Sequence, residues 1–92
     1  MGHRIELGEI EVAVNSLDFV DVGCCIYDGV KEKIYLCYQA AEPCDKQIVR
    51  ALAGILPKYM WPNKFKYFEK IPLNKNSKID RVYLKEICCE TE

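Results

Sequence analysis

Lys78 is the residue of this 92-residue chain best placed to do chemistry. It lies in the run Leu73-Asn74-Lys75-Asn76-Ser77-Lys78-Ile79-Asp80-Arg81, whose Asn, Ser and Lys content is that of a turn. An ammonium on a long stem is a strong point charge that can reach beyond its own fold toward carboxylate or phosphate oxygens. Taken alone, such a run reads more often as a solvated surface turn than as a site. It becomes a site only if both of its ends are fixed. Asp80 can fix one end as the N-cap of a following helix, its carboxylate accepting backbone N–H groups two or three residues on. Pro72 and the alternating Lys64-Phe65-Lys66-Tyr67 predict a strand that fixes the other.

The elements that must hold this loop are read from periodicity. Ile10, Ala13, Val14 and Leu17 recur at helical spacing, so residues 9–17 are expected to form an amphipathic helix opened near Gly8. Glu9 and Glu11 fall in its first turn, where the helix dipole favours negative charge, and both read as structural, as does Glu6. Val20, Val22, Cys24 and Ile26 share one face of a strand over 19–27, and Ile34, Leu36 and Tyr38 one face of a strand over 34–40. With Asp28-Gly29 between them they predict an antiparallel hairpin. Residues 45–56 carry Ile48, Leu52, Ile55 and Leu56 at helical spacing, and Pro57 is expected to stop that helix. Tyr59, Met60 and Trp61, held between two prolines, are expected at a buried corner. A third strand over 63–71 and a closing helix over 81–88, with Leu84, Ile87 and Cys88 inward, complete an α-β-β-α-β-α order. The fold class expected is α+β: a small three-stranded sheet containing at least one antiparallel pair, packed with about three helices.

Composition narrows the function classes. Half of the residues are hydrophobic and 29% are charged, which is globular rather than disordered. Residues 1–92 form one domain with one modest core, too small to hold a nucleotide-binding domain as well. No apolar run approaches the roughly 18 residues that cross a bilayer, and the N-terminus lacks a secretory pattern, so a cytoplasmic location without a membrane partner is expected. Six cysteines would suggest a disulfide scaffold in a secreted chain; here reduced thiols packed as small hydrophobes are expected. The adjacent pairs Cys24-Cys25 and Cys88-Cys89 lack zinc or redox spacing, and His3 is the only histidine, so neither a metal site nor a Ser-His-Asp relay is expected. The net charge of -1 hides a basic stretch from Lys58 to Arg81, with six lysines and one arginine against Glu69 and Asp80. That surface could meet a phosphorylated ligand, an acidic carrier protein or a nucleic acid, as a stand-alone binding module would. No RNP-like aromatic motif or GXXG loop supports the last.

Three segments in order carry a likeness: Gly2-His3-Arg4-Ile5-Glu6-Leu7-Gly8-Glu9-Ile10-Glu11, Leu56-Pro57-Lys58-Tyr59-Met60-Trp61-Pro62 and Asn76-Ser77-Lys78-Ile79-Asp80-Arg81. Together they resemble consecutive core motifs in the small C-terminal domain of the adenylate-forming (AMP-binding) ligase superfamily. The closest likeness is to peptide-synthetase adenylation domains and D-alanine carrier-protein ligases, and it runs from Gly2 to about Leu84.

The resemblance implies a lid domain whose N-terminal partner domain, absent here, binds ATP with Mg2+ and the acid. It also implies that the acyl-adenylate passes its acyl group to a thiol, phosphopantetheine on a carrier protein or CoA; an acyl-CoA synthetase is the alternative substrate class. By motif position Lys78 matches the lysine that meets carboxylate and phosphate oxygens during adenylation. Gly2, His3 and Arg4 match the loop presented to the thiol, and Asn76, Ser77, Asp80 and Arg81 support the lysine's loop. Such a piece is expected to be inactive by itself, an excised domain whose Met1 is an added start. Ser77 departs from the family, which has glycine there; if the backbone is left-handed at that position, serine costs roughly 1 to 2 kcal/mol.

Overall fold

In the computed structural model, which describes residues 6–90, the expected α+β class and element order are found. Helix α1 spans Leu7–Asn15, strands β1 and β2 span Val22–Asp28 and Lys33–Gln39, and helix α2 spans Asp45–Ala53. A single 3-10 turn at Lys58–Met60 leads to strand β3, Lys64–Phe68, and helix α3 spans Arg81–Glu90. The strands lie in the order β1-β2-β3. β1 is antiparallel to β2, as the hairpin pattern predicts, whereas β3 is parallel to β2. The parallel pair requires a crossover, and α2 with the turn after it supplies one.

That crossover shares one face of the sheet with α1. α1 and α2 pack on one side, burying Ile10, Val14, Ile48 and Leu52 with Cys25, Ile34, Leu36 and Tyr38. α3 packs on the other, where Leu84 and Cys88 meet Cys24, Ile26, Tyr35, Cys37 and Ile71. The two period-two sets read from the sequence therefore lie on opposite faces. Cys24 and Ile26 stand beside Cys37 and Tyr35 under α3, while Ile34, Leu36 and Tyr38 point toward α1 and α2. Val20 precedes β1 and joins the α1 side, so it leaves the face assigned to it.

Further boundaries differ from expectation for local reasons. α2 ends at Ala53, capped at Gly54, so Ile55 lies past the helix and is half exposed rather than buried. Pro57 is not the residue that stops it. In the turn between the prolines only Met60 is buried; Tyr59 is 53% exposed, and Trp61 is half-buried with its Nε1–H donating to the Leu56 carbonyl at 3.1 Å.

α1 also seals the outer edge of β1. The Asn15 carboxamide pairs with Gly23 as a neighbouring strand would, accepting its N–H at 2.9 Å and donating to its carbonyl at 3.1 Å. Glu11 Oε2 accepts the Cys25 N–H at 2.8 Å. Strand groups that would otherwise face solvent as a pairing template are thus satisfied by side chains. Gly23 permits the approach: a Cβ there would lie 2.6 Å from Val14 Cγ1.

Candidate functional site

The Lys78 loop is a short hairpin built on one asparagine. On its upstream side Ile71 is buried, and its N–H donates to Gln39 Oε1 at 2.8 Å, tying the chain to the end of β2. Leu73 and Ile79 then form an antiparallel bridge, and the Asp80 N–H donates to the Pro72 carbonyl at 3.1 Å. Inside the turn the Asn74 N–H donates to the Lys78 carbonyl at 2.7 Å, and the Asn74 carbonyl accepts the Ser77 N–H at 2.9 Å. The Asn74 side-chain oxygen accepts the N–H groups of Asn76 at 2.8 Å and Lys78 at 3.2 Å. Short polar side chains that bond their own downstream backbone in this way lock a turn without help from a core.

The downstream side is fixed by a cap and an ion pair. Asp80 Oδ1 accepts the Tyr83 N–H at 3.0 Å, the N-cap bond expected from the sequence. Arg81 forks onto Glu11, Nη1 to Oε2 at 2.9 Å and Nη2 to Oε1 at 3.1 Å. Burial works to raise the Glu11 pKa, but the Arg81 guanidinium and the Cys25 N–H together outweigh it and hold the carboxyl below its ordinary value.

Lys78 is held by its backbone and released at its head. Its amide and its carbonyl are both bonded to Asn74. Its side chain is exposed, and among the described residues none makes a hydrogen bond or ion pair with its ammonium. Such a charge is available to a ligand from outside the fold. Asn76 contributes its backbone amide to the turn, and Asp80 and Arg81 contribute side chains. Gly2, His3 and Arg4 lie outside the described residues.

Ser77 sits at φ 64, the left-handed region in which the Cβ crowds the following carbonyl. Ser77→Gly is expected to raise stability by about 0.5 to 1 kcal/mol, the relief of strain less glycine's greater unfolded-state freedom. A higher urea midpoint at unchanged slope would show it, and a lower midpoint would mean that the serine is not strained.

Sequence reasoning missed Asn74, Gln39 and the partner of Glu11. The Asn74-Lys75-Asn76 composition is a usable signal for the first; the others join residues far apart in sequence and leave no local trace. The cysteines offer no second site. All six are free thiols, and burial pushes Cys24 up to about 11 and Cys25 to about 12, so both are protonated and poor nucleophiles. Among the described residues no group of three or more His, Cys, Asp or Glu could hold a metal ion, and no helix is long and apolar enough to cross a membrane.

No protein-family model matches the chain. Curated relatives include a linear gramicidin synthase of Brevibacillus parabrevis, 40% identical over 86 residues, which covers 87% of this chain and 1% of that protein. Another is D-alanine–D-alanyl carrier protein ligase of Bacillus licheniformis, 37% identical over 95 aligned positions, 92% of this chain and 19% of the ligase. Among solved structures, a Mycobacterium tuberculosis fatty acyl CoA synthetase superposes with a TM-score of 0.82 at 27% identity, covering 98% of this chain and 19% of the synthetase. Klebsiella oxytoca NpsA in complex with 3-hydroxyanthranilyl-AMSN gives 0.84 at 25% identity, covering 95% and 18%. The chain thus spans about one fifth or less of the proteins it matches.

Proposed function

We propose that this chain, similar in sequence and fold to the adenylate-forming ligases over a share of their length that fits a C-terminal domain, works as the closing domain of such a ligase. Lys78 is its catalytic residue. The ligase activates an amino acid with ATP and passes the acyl group to a carrier-protein phosphopantetheine; the likeness to a fatty acyl CoA synthetase supports CoA as the other acceptor. It acts in the cytoplasm, with its own N-terminal domain and the carrier protein or CoA as partners, and uses neither membrane nor nucleic acid.

The observation that carries the reading is the Lys78 ammonium: exposed, without a partner among the described residues, on a backbone pinned at both its N–H and its carbonyl. In adenylation the attacking carboxylate and the α-phosphate share negative charge. A cation delivered there after water is excluded stabilises the transition state more than the ground state. Because the Lys78 backbone is fixed in advance, little ordering remains for the moment of reaction. The residues present fit phosphate and carboxylate oxygens. They offer Mg2+ no cluster of ligands among the described residues, so the ion would be held by nucleotide and by the N-terminal domain.

Reconstitution tests the reading. This chain alone is expected to give no amino-acid-dependent ATP–pyrophosphate exchange, and joining it to a nucleotide- and acid-binding domain is expected to restore exchange. Exchange by the nucleotide-binding domain that this chain does not change would refute the proposal.

A further inference from the structure

We propose that Glu11 is a positioning residue for the Lys78 ammonium, acting through Arg81; the proposal rests on the function assigned above to Lys78. The first turn of α3 buries little. Arg81, Val82 and Tyr83 are all exposed, and the first side chain that the helix buries is Leu84. Packing holds the chain at Ile79 and Leu84, on either side of this turn, and leaves the exposed turn between them to be aimed by its polar contacts. The Asp80 cap cannot supply that direction, because its partner Tyr83 belongs to the same helix and moves with it.

The Arg81 fork is different because its acceptor belongs to another part of the fold. Glu11 sits on α1 and spends the same Oε2 on the Cys25 N–H of β1, so its carboxylate is referenced to the sheet. Two parallel N–H···O bonds from a planar guanidinium fix an angle as well as a distance. The fork engages three residues after Lys78, at the foot of the hairpin that Asn74 closes. Exposure divides unevenly: the Glu11 side chain is 17% exposed and that of Arg81 55%. The acceptor is the rigid half, and the donor lies over it from the solvent side. A pair so open to water contributes modestly to stability, and its main effect is to aim the chain.

The geometry also joins α1 to α3. α1 begins at Leu7, and α3 begins directly after the Lys78 hairpin. Glu11 and Arg81 span 70 positions to hold these helices in one relation. A single carboxylate thereby references the start of α3, and with it the Lys78 hairpin, to β1.

Glu11→Gln and Glu11→Asp are compared with the parent in two measurements. In this chain, 15N heteronuclear NOE values of residues 76–79 report fast loop motion; Glu11→Gln is expected to lower them while β2 is unchanged. In the ligase reconstituted with the nucleotide-binding domain, Glu11→Gln is expected to lower the adenylation kcat about tenfold, with KM within about twofold. Acyl transfer from preformed adenylate should change much less, and Glu11→Asp should recover part of the loss. Unchanged NOE values in Glu11→Gln overturn the proposal whatever the activity. So does an equal fall in both half-reactions, which would mark a purely structural role. If Lys78→Ala leaves adenylation intact while the NOE values of Glu11→Gln fall, the function of Lys78 is wrong and the anchoring of its loop by Glu11 stands.

Discussion

Lys78→Ala is expected to slow adenylation about 10²- to 10³-fold, about 3 to 4 kcal/mol of transition-state stabilisation, in the ligase proposed for this chain. The size follows from where the charge is used. On the free domain the side chain is exposed and its ammonium has no partner among the described residues, so its removal should leave stability within about 0.5 kcal/mol. Inside the closed nucleotide pocket proposed above, the same charge would face phosphate and carboxylate oxygens without competing water, and there its loss would be costly. Because it acts on charge that develops in the transition state, kcat and kcat/KM should fall together rather than KM rise alone. Acyl transfer from preformed adenylate should be nearly unaffected, since the carboxylate has by then become the uncharged acyl group of the anhydride and pyrophosphate has left. Lys78→Arg keeps the charge but exchanges a compact ammonium for a planar fork on the same fixed backbone, and should recover only part of the rate. Near-normal pyrophosphate exchange in Lys78→Ala would sink the assignment.

What the sequence made legible about this loop was its local chemistry. The Asp80 cap depends on an N–H three residues away, and the inward set Leu84, Ile87 and Cys88 on the spacing of a single helix, so both could be read directly. The strain at Ser77 was legible only conditionally: glycine at that place in the resembling family hints at a left-handed backbone, and φ 64 supplies the condition. The unread features are those in which distant segments meet. Glu11 reads as a first-turn acid complementing the helix dipole, and nothing near it in sequence announces a guanidinium 70 positions away. Gln39 looks like the polar end of a strand until the Ile71 N–H is seen to use it. The same limit applies to the sheet. Alternation in residues 19–27 and 34–40 gives a buried face for each strand, but which helix covers that face depends on a register and a parallel crossover that periodicity does not encode. Ile55 shows how a pattern overruns: its spacing suits a helix that Gly54 has already ended.

The largest stability effect is expected where the loop stands on the core. Leu84 is fully buried, and it shares its cluster with Ile71, so the residues that moor the Lys78 hairpin on its two sides rest on the same small patch of sheet. Leu84→Ala removes three buried carbons against Cys24, Ile26, Tyr35 and Cys37, all of which belong to β1 and β2, paired strands whose backbone cannot move inward to close the gap. Cavities that cannot collapse lie at the costly end of the range, so a loss of about 2 to 5 kcal/mol is expected. A domain of this length has about 5 to 14 kcal/mol in all, and the variant should stand near the edge of folding. A urea midpoint lowered at unchanged slope would measure the loss. Val82→Ala, two positions before Leu84 and 73% exposed, is the control and should shift the midpoint little. The prediction separates two accounts of how Lys78 is held. If α3 is fixed chiefly by this cluster, Leu84→Ala destabilises the whole domain and lowers both half-reactions with the folded fraction. If it costs less than about 1 kcal/mol, α3 is not held chiefly by Leu84, and the fork between Arg81 and Glu11 must carry more of its placement than an exposed pair ordinarily does.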